Sequence, residues 1–171
     1  MSTIRKLGCS QPYETDKGPK AVPMSMRVLV VEDFAPFRQF VTSTLGKAPD
    51  LQVIAEVSDG LEAVRKAEEL KPDLILLDIG LPALNGIDAA RQIRKLSPES
   101  AIVFVSQESS ADVMQEALSV GASAYVVKAR AAVELLPVVN AVLLEKQSDG
   151  DAADSAPTPS QLNPATEHDS V

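Results

Sequence analysis

The chain has 171 residues, 45% of them hydrophobic, which allows one domain with a substantial core plus flanking segments. A net charge of −8, from 24 acids against 16 bases, argues against a dominant electrostatic pull toward nucleic acid or anionic lipid. The apolar runs are too short for membrane insertion, and the single cysteine, Cys9, cannot form an internal disulfide, so a cytoplasmic setting is expected.

Residues 1–25 carry Gly8, Gly18, Pro12, Pro19 and Pro23 without sustained periodicity and read as a disordered N-terminal arm. Lys6-Leu7-Gly8-Cys9 has the outline of a lipoprotein cleavage site, but no apolar stretch precedes it, so Cys9 reads as a free thiol. Arg27 to Val31 is the first strand, and Glu32-Asp33 follow at once. Pro36 suits the first turn of a helix that buries Phe37, Phe40, Val41, Thr44 and Leu45 and ends near Gly46 or Lys47. Leu51 to Val57 alternates more than the first strand, as expected nearer a sheet edge.

Asp59 with Glu62 resembles a capping box and opens a second helix through Ala63, Val64, Ala67 and Leu70. Leu74 to Leu77 is a short, wholly apolar run that stops at Asp78, the signature of a buried parallel strand ending in an acid. Gly80, Pro82 and Gly86 shape the path to a third helix through Ala89, Ala90, Ile93 and Leu96. Ile102 to Val105 is a fourth strand, followed by Ser106. Ser109 or Ser110 caps a fourth helix that Gly121 stops. Ala124 to Val127 is a fifth strand, followed by Lys128. A last helix spans about Ala132 to Glu145, and Pro137 inside it implies a later start or a kink. Residues 147–171 hold five acids, no Lys or Arg and recurrent proline, and read as a disordered, solubilising acidic tail; His168 within it has no assigned role.

Five strand–helix pairs with right-handed crossovers make an α/β fold with helices on both faces of a parallel sheet, and residues 26–146 form the domain. Four strands then end at one edge in Glu32-Asp33, Asp78, Ser106 and Lys128. Strands lie about 4.8 Å apart, so these groups converge on one small ligand. Clustered carboxylates repel one another unless a cation intervenes, and an all-oxygen set suits Mg2+. Phosphoryl transfer needs mainly positioning and charge neutralisation, and a carboxylate such as that of Asp78 can be the nucleophile.

With Glu32-Asp33, Asp78-Ile-Gly-Leu-Pro ending at Gly86, Ser106 and Lys128 in order on successive strands, the stretch from about Arg27 to Glu145 resembles the receiver domain of two-component response regulators, a CheY-like domain. The segment from Tyr125 to Arg130 and on to Pro137 looks like the NarL/FixJ type, without the helix-turn-helix domain usual there. The resemblance implies a flavodoxin-like, doubly wound (βα)5 fold with strand order 2-1-3-4-5. It implies that Asp78 accepts a phosphoryl group from a sensor histidine kinase or a histidine phosphotransfer protein. It further implies that Asp33, Asp78, the Gly80 backbone carbonyl and Glu32 hold Mg2+, and that Lys128 and Ser106 meet the phosphoryl group. Tyr125 becomes the switch, and the surface of the fourth helix, fifth strand and fifth helix binds an unknown downstream protein. No separate metabolic activity is expected.

Two positions depart from the family's usual pattern: Gln107 stands where a small residue is common, and Ala129 where proline is frequent. Gln107 gives some support to an alternative, a phosphorylation-independent interaction module on the same fold. A dinucleotide enzyme would carry a Gly-rich turn where Glu32-Asp33-Phe34 stands, and a phosphate-loop hydrolase would carry Gly-Lys-Ser/Thr. A dehalogenase-type phosphatase would want a second acid at Gly80.

Overall fold

The computed structural model describes residues 25–151; the expected arm and most of the expected acidic tail, with Cys9 and His168, lie outside the described residues. Strands β1 (Met26–Val31), β2 (Leu51–Val57), β3 (Leu74–Leu77), β4 (Ala101–Ser106) and β5 (Ala124–Val127) alternate with helices α1 (Ala35–Leu45), α2 (Gly60–Leu70), α3 (Gly86–Leu96), α4 (Ala111–Ser119) and α5 (Ala131–Asp151). The strands form one parallel sheet in the order β2-β1-β3-β4-β5, a flavodoxin-like arrangement. The alternating strand β2 is indeed at an edge.

Strand side chains point alternately to the two faces, and the core divides accordingly. Val28 and Val30 of β1, Leu74 and Leu76 of β3, Val103 and Val105 of β4 and Val126 of β5 pack with Val41 and Leu45 of α1 and Leu135 and Val139 of α5. Leu29, Val31, Ile75, Leu77, Ile102 and Phe104 pack on the other face against α2, α3 and Ala117 of α4. No helix among the described residues is long and apolar enough to cross a membrane.

Local chemistry sets most boundaries. Asp59 Oδ1 accepts the Glu62 N–H at 2.7 Å, and Asn85 Oδ1 accepts the Asp88 N–H at 2.9 Å, which caps α2 and α3. Gly121, at φ +86°, follows the end of α4 as a left-handed terminator. Ser110 occupies the first cap position of α4, but its side chain makes no capping bond, so its contribution is positional only.

Three expectations need correction. Ser106 is the last residue of β4, paired with Val127, rather than the residue after it. Helix α5 starts at Ala131, so Pro137 does not mark a late start, and it runs past Glu145 to Asp151. Pro137 is tolerated because it is exposed, and the carbonyl it frees belongs to Val133, itself 78% exposed, on the solvent side of the helix.

Candidate functional site

Each residue at the sheet's carboxyl edge is aimed by the alternation below it. Glu32, Asp78 and Lys128 continue the parity of Val30, Leu76 and Val126, so their side chains emerge together toward α1 and α5. Ser106 and Tyr125 follow the opposite parity, with Phe104, toward α4; the rings of Phe104 and Tyr125 lie 6.3 Å apart.

The charged trio is closely knit. The Lys128 ammonium reaches Asp78 Oδ2 at 2.8 Å and Glu32 Oε1 and Oε2 at 2.8 and 2.7 Å. Asp78 Oδ1 accepts the Ile79 N–H at 2.7 Å, and Glu32 Oε1 accepts the Phe34 N–H at 3.1 Å. Glu32, Asp78 and Ser106 are buried, whereas Asp33 is exposed. Burial raises the Glu32 carboxyl above the ordinary range and the Asp78 charge adds to this, while Lys128 pulls the other way. Burial alone would lower the Lys128 ammonium, but its bonds to Asp78 and Glu32 carry it above the ordinary lysine range.

Carboxylate oxygens of Glu32, Asp33 and Asp78 lie within 4.8 Å of one another. Asp33 and Asp78 open onto a cleft of about 400 Å³ lined also by Gly80, Ser106, Gln107 and Lys128, with Glu32 buried behind Lys128. This donor set fits Mg2+: all oxygen, with one exposed acid, and two buried acids served by a single ammonium, leaving net negative charge. Gly80 lies beside Asp78, since a Cβ placed on it would sit 3.8 Å from Asp78 Oδ2.

The loop over the site is tightly folded. A Cβ on Gly86 would fall 1.9 Å from the Asp78 carbonyl oxygen, and the Gly86 N–H donates to the Ile79 carbonyl at 2.9 Å. Ala83 adopts φ +63°, and the Leu84 N–H closes a tight turn on the Pro82 carbonyl at 2.7 Å. Gly60 at the start of α2 abuts this loop, with its missing Cβ 1.9 Å from the Leu84 carbonyl oxygen.

On the opposite side, the Tyr125 hydroxyl donates to the Glu108 carbonyl at 2.8 Å, and the Glu108 N–H donates to Ser106 Oγ at 3.3 Å. Burial raises the Tyr125 phenol above its ordinary value, the Ser106 hydroxyl works against this, and the Glu108 and Asp78 charges reinforce it. Gln107 is exposed at the cleft wall. Ala129 lies in a single 3₁₀ turn, Lys128–Arg130, with no cis peptide bond among the described residues.

The structure thus gathers Glu32, Asp33, Asp78 and Lys128, with Gly80 and Ser106 on the same cleft, and leaves Tyr125 beyond Ser106, bonded to the Glu108 carbonyl. It adds three contacts that sequence reasoning missed. Phe37 lies under the Lys128 ammonium, 4.9 Å from Nζ to the ring centroid. Arg38 Nη1 donates to the Glu32 carbonyl at 2.7 Å and so braces the acidic turn. The Glu108 carbonyl anchors Tyr125. Phe37 was legible in principle: it sits at i, i+4, i+8 with Val41 and Leu45, one turn nearer the carboxyl edge.

A parallel sheet of this order, with acids after β1 and β3 and a lysine after β5 gathered at one edge, defines a response regulator receiver. A family model described as the response regulator receiver domain matches residues 28–140, and the chain belongs to that family. It is 39% identical over 105 residues to the chemotaxis protein CheY of Thermotoga maritima, covering 61% of this chain and 87% of that protein. It is 42% identical over 111 residues to the protein-glutamate methylesterase/protein-glutamine glutaminase of the same organism, covering 64% of this chain. The chain spans only 32% of that methylesterase's length. The crystal structure of the response regulator domain of Thermotoga maritima CheB superposes with a TM-score of 0.62 at 38% identity, covering 68% of this chain and 96% of that one.

Proposed function

We infer that the chain is a phosphorylation-dependent signalling switch whose phosphoryl acceptor is Asp78. The observation that carries this reading is the 2.8 Å contact between Lys128 Nζ and Asp78 Oδ2 in a cleft that Asp33 also lines, with the Glu32 carboxylate on the same ammonium. An Asp78 carboxylate oxygen attacks phosphorus, the bond from phosphorus to the donor's imidazole nitrogen breaks, and the imidazole leaves with the electron pair. The product is an acyl phosphate on Asp78. The donor is a phosphohistidine on a sensor kinase or a histidine phosphotransfer protein.

Asp33, Asp78 and the Gly80 carbonyl, with Glu32 directly or through water, are the groups that would hold Mg2+, which supplies neutralisation of phosphoryl charge. Lys128, already against Asp78, passes to the new phosphoryl oxygens as they arrive. Ser106, one strand over, turns its hydroxyl toward the same group. Tyr125 is tied through the Glu108 carbonyl to the chain that follows Ser106, so a shift of Ser106 reaches it. The exposed surface of α4, β5 and α5 then changes its affinity for a downstream protein.

Acetyl phosphate or a small phosphoramidate, with Mg2+, should add one phosphoryl group to the protein, mapped by mass spectrometry to Asp78. The Asp78→Asn variant should add none. Modification that survives this substitution, or no modification in Mg2+, rejects the assignment.

A further inference from the structure

The reading of Asp78 as acceptor makes Lys128 the moving cation of the site, and its ammonium has a fourth neighbour besides the three oxygens that bind it. The Phe37 ring lies 4.9 Å from Nζ, measured to the centroid, and the Lys128 side chain is only 9% exposed. We propose that Phe37 is a positioning residue for phosphoryl transfer, its ring serving as a platform that holds the Lys128 ammonium while its hydrogen-bond partners change.

A core role alone does not account for the arrangement. Phe37 is half-buried, tilted against Phe40 at 5.5 Å, and packs on the core cluster beneath α1. A leucine or methionine would serve that packing. What an aliphatic side chain lacks is a negative ring face, and attraction between such a face and a cation grows as water is excluded. Here the side chain that carries the cation is largely buried, at one wall of the cleft.

The two kinds of interaction respond differently to movement. The bonds from Lys128 to Glu32 and Asp78 are directional and must break when the ammonium turns to phosphoryl oxygens. The ring attraction requires only that the cation stay over the ring face, within about 6 Å of the centroid. It therefore persists through a short swing and keeps the ammonium over the site. Phe37 is well placed for this because it sits in the first turns of α1, whose start is fixed by Pro36 and by Arg38 gripping the Glu32 carbonyl.

The test compares two aromatic replacements, Phe37→Tyr and Phe37→Trp, with two aliphatic ones, Phe37→Leu and Phe37→Met, in the full chain. Two quantities are read: the rate of Asp78 modification by acetyl phosphate in saturating Mg2+, and the proton shifts of the Lys128 ε-methylene, assigned by their loss in Lys128→Arg. The aliphatic variants should be modified about three- to tenfold more slowly. They should also lose the ring-current shift on Lys128. At least one aromatic variant should restore both. Equal rates in all folded variants, or equal slowing by aromatic and aliphatic residues, overturn the proposal. Absence of modification in the unsubstituted protein would instead overturn the reading of Asp78 as acceptor.

Discussion

Lys128 and Asp78, 50 positions apart in the chain, meet at 2.8 Å because β3 and β5 both end at the carboxyl edge and both deliver these residues to the α1/α5 face. β4 stands between their strands, and Glu32 completes the contact from β1. Among the described residues, this ammonium is the one cation bonded to the two buried carboxylates, whose side chains are 3% and 7% exposed. Removing it leaves both acids facing each other in a poorly solvated pocket. Lys128→Ala should therefore destabilise the fold by about 3 kcal/mol, a typical cost of breaking a buried pair from one side. Chemical denaturation in EDTA measures this. Addition of Mg2+ should narrow the gap, because a divalent cation replaces part of the missing charge. A variant as stable as the parent in EDTA would show that the two carboxylates are not charged together.

Gly86 and Gly80 flank the same loop, but the structure separates their roles. A Cβ on Gly86 collides with the Asp78 carbonyl oxygen at 1.9 Å, a backbone atom that cannot turn aside, whereas one on Gly80 meets nothing closer than 3.8 Å. Gly86→Ala should cost at least about 2 kcal/mol and weaken Mg2+ binding, because the loop carrying the Gly80 carbonyl must move. Gly80→Ala should stay within about 1 kcal/mol of the parent. Thermal unfolding paired with Mg2+ titration of both variants decides the matter; similar losses at the two positions would contradict the geometry.

These contacts mark what the sequence alone reveals and what it hides. The strand ends were legible because the apolar runs of β1, β3 and β4 stop at Glu32, Asp78 and Ser106, whereas the sheet order came from the resemblance to the receiver family. The convergence of Glu32, Asp78 and Lys128 followed from parallel strands. The partition of the site into a charged half and a hydroxyl half lay in the period of two, counted from Val30, Leu76, Phe104 and Val126. Other features were not legible. That the Tyr125 hydroxyl would find a backbone carbonyl depends on how the chain after Ser106 curls, and no side-chain pattern encodes it. Ser110 has the chemistry of a cap, yet its hydroxyl makes no such bond. Asp59 and Asn85, with the same kind of chemistry, do cap.

Tyr125 gives a pH dependence with a definite sign. Its phenol is pushed above the ordinary value, chiefly by burial, so the folded state holds the proton more tightly than the unfolded state does. The associated stability is complete below about pH 10, the ordinary phenol value, and is lost as pH rises through the higher folded value. The parent should thus lose stability more steeply than Tyr125→Phe between about pH 9.5 and 11, around the ordinary phenol value. At pH 7 the same substitution should cost about 1 kcal/mol through the lost bond to the Glu108 carbonyl. The difference in ultraviolet absorbance between the two proteins isolates the Tyr125 titration. Parallel stability curves for the two proteins would argue against a raised phenol.

Pro137 offers a prediction of opposite direction. It lies in the interior of α5, where its ring excludes the N–H that would bond the Val133 carbonyl one turn earlier. The helix continues nonetheless, because Leu135 and Val139 are buried on its inner face while Pro137 and Val133 face solvent. Packing therefore holds the helix through a residue whose intrinsic preference opposes it. Pro137→Ala restores one backbone bond and a strong helix former, at the expense of the entropy that proline removes from the unfolded chain, about 1 kcal/mol at most. Intrinsic propensity favours alanine by about 3 kcal/mol in a helix interior. Part of that difference is already absorbed where water reaches the freed carbonyl. The net expectation is stabilisation by about 1 kcal/mol, seen as a higher melting temperature with no change in the rate of Asp78 modification. A lower melting temperature would mean that α5 relies on a bend at Pro137 to keep Leu135 and Val139 seated against the sheet.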